Sequence, residues 1–297
     1  MEFGYLDNVD GLDLKLPDDH PLTHSTLSNY KTNQAPRIFY GTSKFGRKDW
    51  VGSFFPPKTK DRDFLLNYVK HFNSIELNAT HHRFPPSNWI SKWKNEASEE
   101  FRFCPKIYKA ISHRYRLKNC ERLSNDFYLR VQEFEYGLGP LFMQFPDNFS
   151  GKSFPDLVNF IRDKPKEINL NIEFRHPEWF EESSLATETF AALRENHIGT
   201  VITDTPGRRD VLHMHLTSPI AFIRFVGGGL HKSDFSRIEQ WVERLDQWFH
   251  LGLREAYFFM HQHDDLATPK ALDFFVEKVN QKMSLDLHRP LAGIDID

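Results

Sequence analysis

Asn169-Leu170-Asn171-Ile172-Glu173-Phe174-Arg175 alternates polar and apolar side chains without a break. In an extended chain successive side chains point to opposite faces, so Leu170, Ile172 and Phe174 share one face and Asn169, Asn171, Glu173 and Arg175 the other. Such a strand buries its apolar face against helices and turns a carboxylate and a guanidinium toward the opposite side. Working outward, residues 38–40, 74–78, 101–106, 141–145, 200–204, 220–226 and 257–261 are short runs rich in Ile, Val, Phe and Tyr, and each reads as a buried strand. Between them, 61–70, 86–94, 119–134, 154–163, 184–196 and 235–250 carry helical spacing. The last places Phe235, Ile238, Trp241, Leu245, Trp248 and Phe249 on one stripe with charges between. Eight strands alternating with helices predict an α/β fold: an eight-stranded β/α (TIM-type) barrel, a single domain over residues 37–283. A doubly wound sheet is the alternative, but no G-x-G-x-x-G follows a strand.

Composition narrows the function classes. Of 297 residues, 39% are hydrophobic and 14% aromatic, which excludes a disordered chain. No apolar run approaches the roughly 20 residues a transmembrane helix needs, so no membrane span is expected. A net charge of −3 offers no basic field for bulk nucleic-acid binding. Two cysteines make neither a disulfide framework nor a four-thiolate zinc site, and fit a reducing cytosol. Residues 1–36 carry six acidic side chains against Lys15 and Lys31, and read as a loosely packed acidic extension. Residues 284–297 form a C-terminal tail.

Alternation assigns the other strands as it assigns 169–175. Ile75, Leu77 and Ala79 face outward, with Ser74, Glu76, Asn78 and Thr80 inward; Arg102, Cys104 and Lys106 share a face; Gln144, Asp204, Arg224 and His261 complete the inward set. His81 and His82 are adjacent and point apart if extended. Isolated charges in a dry interior cost several kcal/mol each unless paired. Glu76, Lys106, Glu173, Arg175, Asp204, Arg224 and His261 therefore mark a functional pocket at the C-terminal mouth or a structural ion-pair network there.

Several strings then become familiar. G-T-S-K-F-G-R-K-D-W-V-G-S-F-F-P (41–56), S-I-E-L-N-A-T (74–80), F-R-F-C-P-K (101–106) with I-S-H (111–113), M-Q-F-P (143–146), N-I-E-F-R-H-P-E-W (171–179), I-R-F-V-G (223–227) and F-F-M-H-Q-H-D-D (258–265) occur in order. Over roughly 37–280 the chain resembles the YecE-like family, the domain of unknown function 72. The resemblance implies a β/α barrel and supplies no reaction.

Function classes then follow from the residues. The first is metal-independent acid/base hydrolysis of a polar or anionic substrate such as a sugar derivative, with Glu76, Glu173, Asp204 and Lys106 catalytic. Glycoside hydrolysis needs two carboxylates about 5–5.5 Å or 6.5–9.5 Å apart. Arg175, His176, Arg224, Asn78, Gln144, His261 and Trp50 would bind substrate, with Trp89 and Trp179 as further stacking faces. A second class uses a divalent metal held by Glu76, Glu173, Asp204 and His261 for hydrolysis or isomerisation. A third is Schiff-base chemistry on Lys106. The fourth is a binding protein for an anionic ligand or nucleic acid, with Lys44, Arg47, Lys48, Lys58, Lys60 and Arg62 as a local basic segment. No resident cofactor is required by the first class, and substrate and subunit number stay open.

Overall fold

A computed structural model describes residues 3–294. Its eight parallel strands are β1 (Arg37–Thr42), β2 (Ser74–Leu77), β3 (Arg102–Pro105), β4 (Leu141–Gln144), β5 (Leu170–Glu173), β6 (Gly199–Asp204), β7 (Ile220–Gly227) and β8 (Glu255–Gln262). Each coincides with one of the apolar runs. Helices follow the strands: α2 (Phe64–Tyr68), α3 (Ala79–His82), α4 (Ser87–Glu96), α5 (Glu121–Gln132), α6 (Phe154–Arg162), α7 (Ser184–Glu195), α8 (Lys232–Leu251) and α9 (Thr268–Met283), with α1 (Pro21–Ser28) ahead of β1. Neither α1 nor α9 was expected, although Leu272, Phe275, Val276 and Val279 carry the helical period that buries α9.

The expected closed eight-stranded barrel is not what forms. Six strands make one hydrogen-bonded sheet, in the order β1-β8-β7-β6-β5-β4, while β2 and β3 pair separately. Side chains account for the break beside β1. Asn73 accepts from the Tyr40 amide at 2.7 Å and donates to the Ile38 carbonyl at 3.0 Å; the Tyr68 hydroxyl accepts from the Thr42 amide at 2.8 Å and donates to the Ser74 carbonyl at 2.9 Å. The backbone groups that a ladder would pair are thus satisfied by side chains. The two strands still lie close, so that a Cβ at Gly41 would run into the Ser74 carbonyl. Between β3 and β4 only isolated bridges occur, Phe103 with Leu138 and Lys106 with Phe142. The result is a half-barrel sheet with a small two-stranded sheet across its open side.

Both sheets share one interior. Phe39, Cys104, Phe142, Val201, Phe222, Tyr257 and Phe259 form a small buried cluster, with the Phe39 and Tyr257 rings stacked at 4.6 Å. The outward residues Ile75, Leu77, Leu170, Ile172, Ile202, Ile223 and Phe258 belong instead to the large core beneath the helices. Two residues beyond the inner cluster, on the same face, stand Lys106, Gln144, Thr203, Arg224 and His261. The strand period therefore sets a polar layer on an apolar floor.

The acidic arm is held at intervals. Leu27 of α1 is fully buried, and the Thr23 hydroxyl donates to the Met214 carbonyl at 2.6 Å. Asp19 accepts from the indole of Trp248 at 2.9 Å and pairs with Arg244. At the end of α8, Gly252 has φ 130° and lies so close to the Leu27 carbonyl that a side chain would collide with it. The tail is also anchored: the Leu291 amide donates to Asp273 at 3.0 Å. Met1, Glu2 and residues 295–297 lie outside the described residues.

Candidate active site

Glu76 and Glu173 are 0% and 1% exposed, and one guanidinium lies between them. Arg224 Nε and Nη2 donate to Glu76 at 2.8 and 2.9 Å, and its Nη1 donates to Glu173 at 2.7 Å. Arg175 Nε donates to the other Glu173 oxygen at 2.7 Å. Asn78 donates to Glu76 at 2.8 Å, and His261 Nε2 lies 3.0 Å from the same carboxylate. Lys106 Nζ donates to the Gln144 side-chain oxygen at 3.0 Å. Six of the expected residues, Glu76, Asn78, Glu173, Arg175, Arg224 and His261, thus form one connected network, and Lys106 with Gln144 forms a separate pair on the same inward face; Asn78, Lys106 and Arg175 stand just past the ends of β2, β3 and β5.

Burial and charge act against each other there. Burial alone would raise the Glu76 carboxyl, but Arg224 and His261 outweigh it and hold it well below its ordinary value. For Glu173 burial also raises, and Arg224 with Arg175 bring the carboxyl down to about 2. Both are firmly carboxylates at neutral pH. Lys106 goes the other way: burial and then Arg224 lower its ammonium to about 8. Among the described residues it has no carboxylate within 4.0 Å, although Glu76 and Glu173 each raise it from further away. Burial lowers His261 from its ordinary value against the pull of Glu76, so the imidazole is neutral and donates from Nε2, leaving Nδ1 to accept. Two carboxylates face three cations, which leaves a surplus positive charge.

This geometry reassigns the expected carboxylate pair. Glu76 and Glu173 do approach one another, but Arg224 fills the gap that a scissile bond or water would need, and neither carries a proton to donate. Nor do they leave oxygens open toward a cation. Among the described residues, no group of three or more His, Cys, Asp and Glu is arranged to hold a metal ion.

Asp204 is misplaced by the sequence reading. Thr203 pairs in register with Arg224 and shares its inward face, so Asp204 points outward with Phe225. It accepts from Trp241 Nε1 at 2.8 Å and from Arg237 Nε at 3.2 Å on α8, and Arg209 closes on it at 2.5 Å. Trp50 is misplaced too. It is 2% exposed, donates to the Asp265 carbonyl at 3.1 Å, and packs edge-on against Phe54 and Phe55. Trp179 is likewise buried on Phe149 and Phe174, while the Trp89 ring lies beneath the Arg83 guanidinium at 4.2 Å. His176 uses Nδ1 to cap the turn Pro177–Trp179, accepting from the Glu178 amide at 3.3 Å. Three of the six residues of the basic segment are paired: Arg47 with Asp49 and Asp265, Lys48 with Asp61, Arg62 with Asp63.

Two histidines near Lys106, His81 and His113, were given no role by the sequence reading. His81 and His82 sit on the single turn of α3 rather than in an extended chain, with rings 5.4 Å apart. His81 also meets His113, 5.1 Å away on the π-helical turn Ala110–Arg114. Burial and then the Lys106 charge lower both imidazoles, His81 to about 3. The I-S-H string held His113, but nothing in the spacing of two distant loops brings it to His81. A separate group, His20, His213 and His215, ties the arm to the segment after β6; its H-x-H spacing at 213–215 was there to be read.

Comparison with known proteins agrees on a lineage. A family model described as protein of unknown function DUF72 matches residues 39–292. The UPF0759 protein YecE of Escherichia coli (strain K12) is 26% identical over 237 residues, covering 74% of this chain and 86% of YecE. The UPF0759 protein YunF of Bacillus subtilis (strain 168) is 23% identical over 241 residues, covering 71% of this chain and 83% of YunF. A crystal structure of a DUF72 family protein from Enterococcus faecalis V583 superposes with a TM-score of 0.64 at 17% identity, over 84% of this chain and 98% of that one. One from Thermotoga maritima MSB8 gives 0.63 at 21% identity, over 84% and 100%. At these identities the structural likeness carries the fold.

Proposed function

Because the chain belongs to the DUF72 family, whose description carries no activity, protonation at the mouth is the point of departure: we propose a metal-independent acid/base enzyme for a small polar or anionic substrate, a hydrolase in class. Lys106 is its acid and His261 its base. The observation that carries this is the split between the two groups. At neutral pH Lys106 is mostly ammonium and His261 neutral, which is the pairing proton transfer requires. Arg175 anchors the anionic part of the substrate with donor positions left free beyond Glu173. Glu76, Glu173 and Arg224 form the fixed frame that holds His261 in orientation. A structural role for Lys106 would favour direct pairing with one of the buried carboxylates, whereas its nearest partner is the neutral Gln144. No helix among the described residues is long and apolar enough to cross a membrane, and both cysteines are free, in keeping with a reducing cytosol.

The test is a panel of chromogenic esters, phosphomonoesters and glycosides assayed across pH. The base works above its pKa and the acid below its own, so the rate should rise at a pH below the ordinary histidine value and fall through about 8. Lys106→Met and His261→Asn should each lose about 100-fold or more in rate while melting close to the parent protein. A substrate turned over equally well by both variants would end this assignment. Binding of anions with no turnover across the panel would favour the binding-protein reading instead.

A further inference from the structure

Phe3 lies across the mouth. Its ring stacks under the Arg175 guanidinium at 3.9 Å and beside that of Arg208 at 4.8 Å. Donors on the loop after β6 hold the backbone that follows. The Thr205 hydroxyl reaches the Phe3 and Gly4 carbonyls at 3.2 and 3.0 Å, and the Gly207 amide donates to the Gly4 carbonyl at 3.0 Å.

Two glycines make this seat fit. Gly4 has φ 70°, and a side chain there would collide with Thr205. A Cβ at Gly207 would come within 2.7 Å of the Gly4 carbonyl. The holds behind it are exposed ones: Tyr5, 48% exposed, meets the His263 ring edge-on at 4.2 Å, Leu6 is 38% exposed, Asp10 pairs with His231 at 3.4 Å on the surface, and the first buried residue is Leu14. A short segment with a specific seat and few apolar contacts behind it opens at low cost.

We propose that Phe3 and the Gly4 carbonyl occupy a ligand subsite of the mouth, one that takes a planar aromatic ring bearing a carboxylate. The inference rests on the mouth being a ligand site. Stacked guanidinium groups prefer a π face to an aliphatic one of equal size. The Thr205 hydroxyl reaches the Phe3 carbonyl oxygen, four bonds from the ring, and the Gly4 oxygen beyond it, where the Gly207 amide also donates; a carboxylate on a two-carbon linker supplies an oxygen at the first position with greater charge than a peptide carbonyl. The arm's own segment then competes with the ligand, and the apparent affinity is reduced by the fraction of molecules in which the seat is filled.

Titration calorimetry on the full chain tests this, with 3-phenylpropanoate as probe and 3-cyclohexylpropanoate as its saturated counterpart. Phe3→Ala empties the ring position, and Gly4→Val breaks the backbone seat while keeping Phe3. Both should bind 3-phenylpropanoate roughly tenfold or more tightly than the parent, as expected if the seat is at least nine-tenths filled. Neither should gain comparably for 3-cyclohexylpropanoate, and Arg208→Met added to Phe3→Ala should remove the gain. Unchanged 3-phenylpropanoate affinity in both single variants would overturn the proposal. Equal gains for both acids would also overturn it, leaving only a steric cover. Turnover plays no part in these measurements. A 3-phenylpropanoate gain alongside Lys106→Met and His261→Asn variants that keep full turnover would fell the acid/base reading and keep the subsite; the opposite pair of results would do the reverse.

Discussion

Arg224 stands in contact with both buried glutamates, and the stability of the mouth depends on it more than on any neighbour. Removing one partner from a buried ion network leaves uncompensated charge, at a cost of about 3–5 kcal/mol. Arg224→Met should cost that much at pH 7, as measured by urea unfolding. The pH dependence separates this from simple loss of packing. In the parent protein Glu173 titrates near 2 against an ordinary 4.5, so its contribution is present above about 4.5 and is lost as pH falls toward 2. Without Arg224 burial dominates and the carboxyls titrate upward, so the variant should instead gain stability as pH falls from 7 to 5. A variant that follows the parent profile would show that Arg224 does not set these protonation states.

At the scale of elements, Asp204 joins β6 to α8 rather than the mouth to a substrate. Arg237 is fully buried, and besides Asp204 it donates to the Val226 carbonyl at 3.1 and 3.0 Å. Burial raises the Asp204 carboxyl, and Arg237 with Arg209 more than reverse that, holding it below its ordinary value. Asp204→Ala leaves the buried Arg237 with only the more distant carboxylate of Asp234, 3.6 Å away, for a loss of about 3 kcal/mol. Affinity of the folded variant for 3-phenylpropanoate should stay with that of the parent, because the side chain lies on the helix-facing side of β6. Lost affinity with unchanged stability would return Asp204 to the mouth.

For the whole molecule the question is how the arm belongs to the body. The contacts of Leu27, Thr23 and Asp19 with the body all lie between residues 19 and 27. Cutting residues 1–12 removes mostly exposed chain, and the thermal midpoint should move by no more than about 2 °C. Cutting 1–33 strips Leu27 from the core and Asp19 from Trp248 and Arg244. A buried leucine alone is worth about 2–5 kcal/mol. The longer truncation should therefore unfold at much lower urea, and equal midpoints for the two would mean that α1 adds nothing to the body.

The order and number of strands were legible in the sequence because a period-two pattern of apolar residues is local: 169–175 states both its faces without reference to any neighbour. So were the inward positions of Glu76, Lys106, Glu173, Arg224 and His261. The phase at Thr203-Asp204 was not, since both residues are polar and alternation alone does not say which of them turns inward. Only the register with Arg224 settles it. Closure of the sheet was also out of reach, because it depends on whether Asn73 and Tyr68 take the backbone groups of β1 for themselves. Protonation lay furthest from the sequence. Glu76 and Arg224 are 148 residues apart along the chain, and only their meeting at 2.8 Å makes one a fixed carboxylate and leaves Lys106 the group with a proton to give. Strand periodicity is a property of neighbouring residues, whereas charge acts through distance, and distance here is set by the fold.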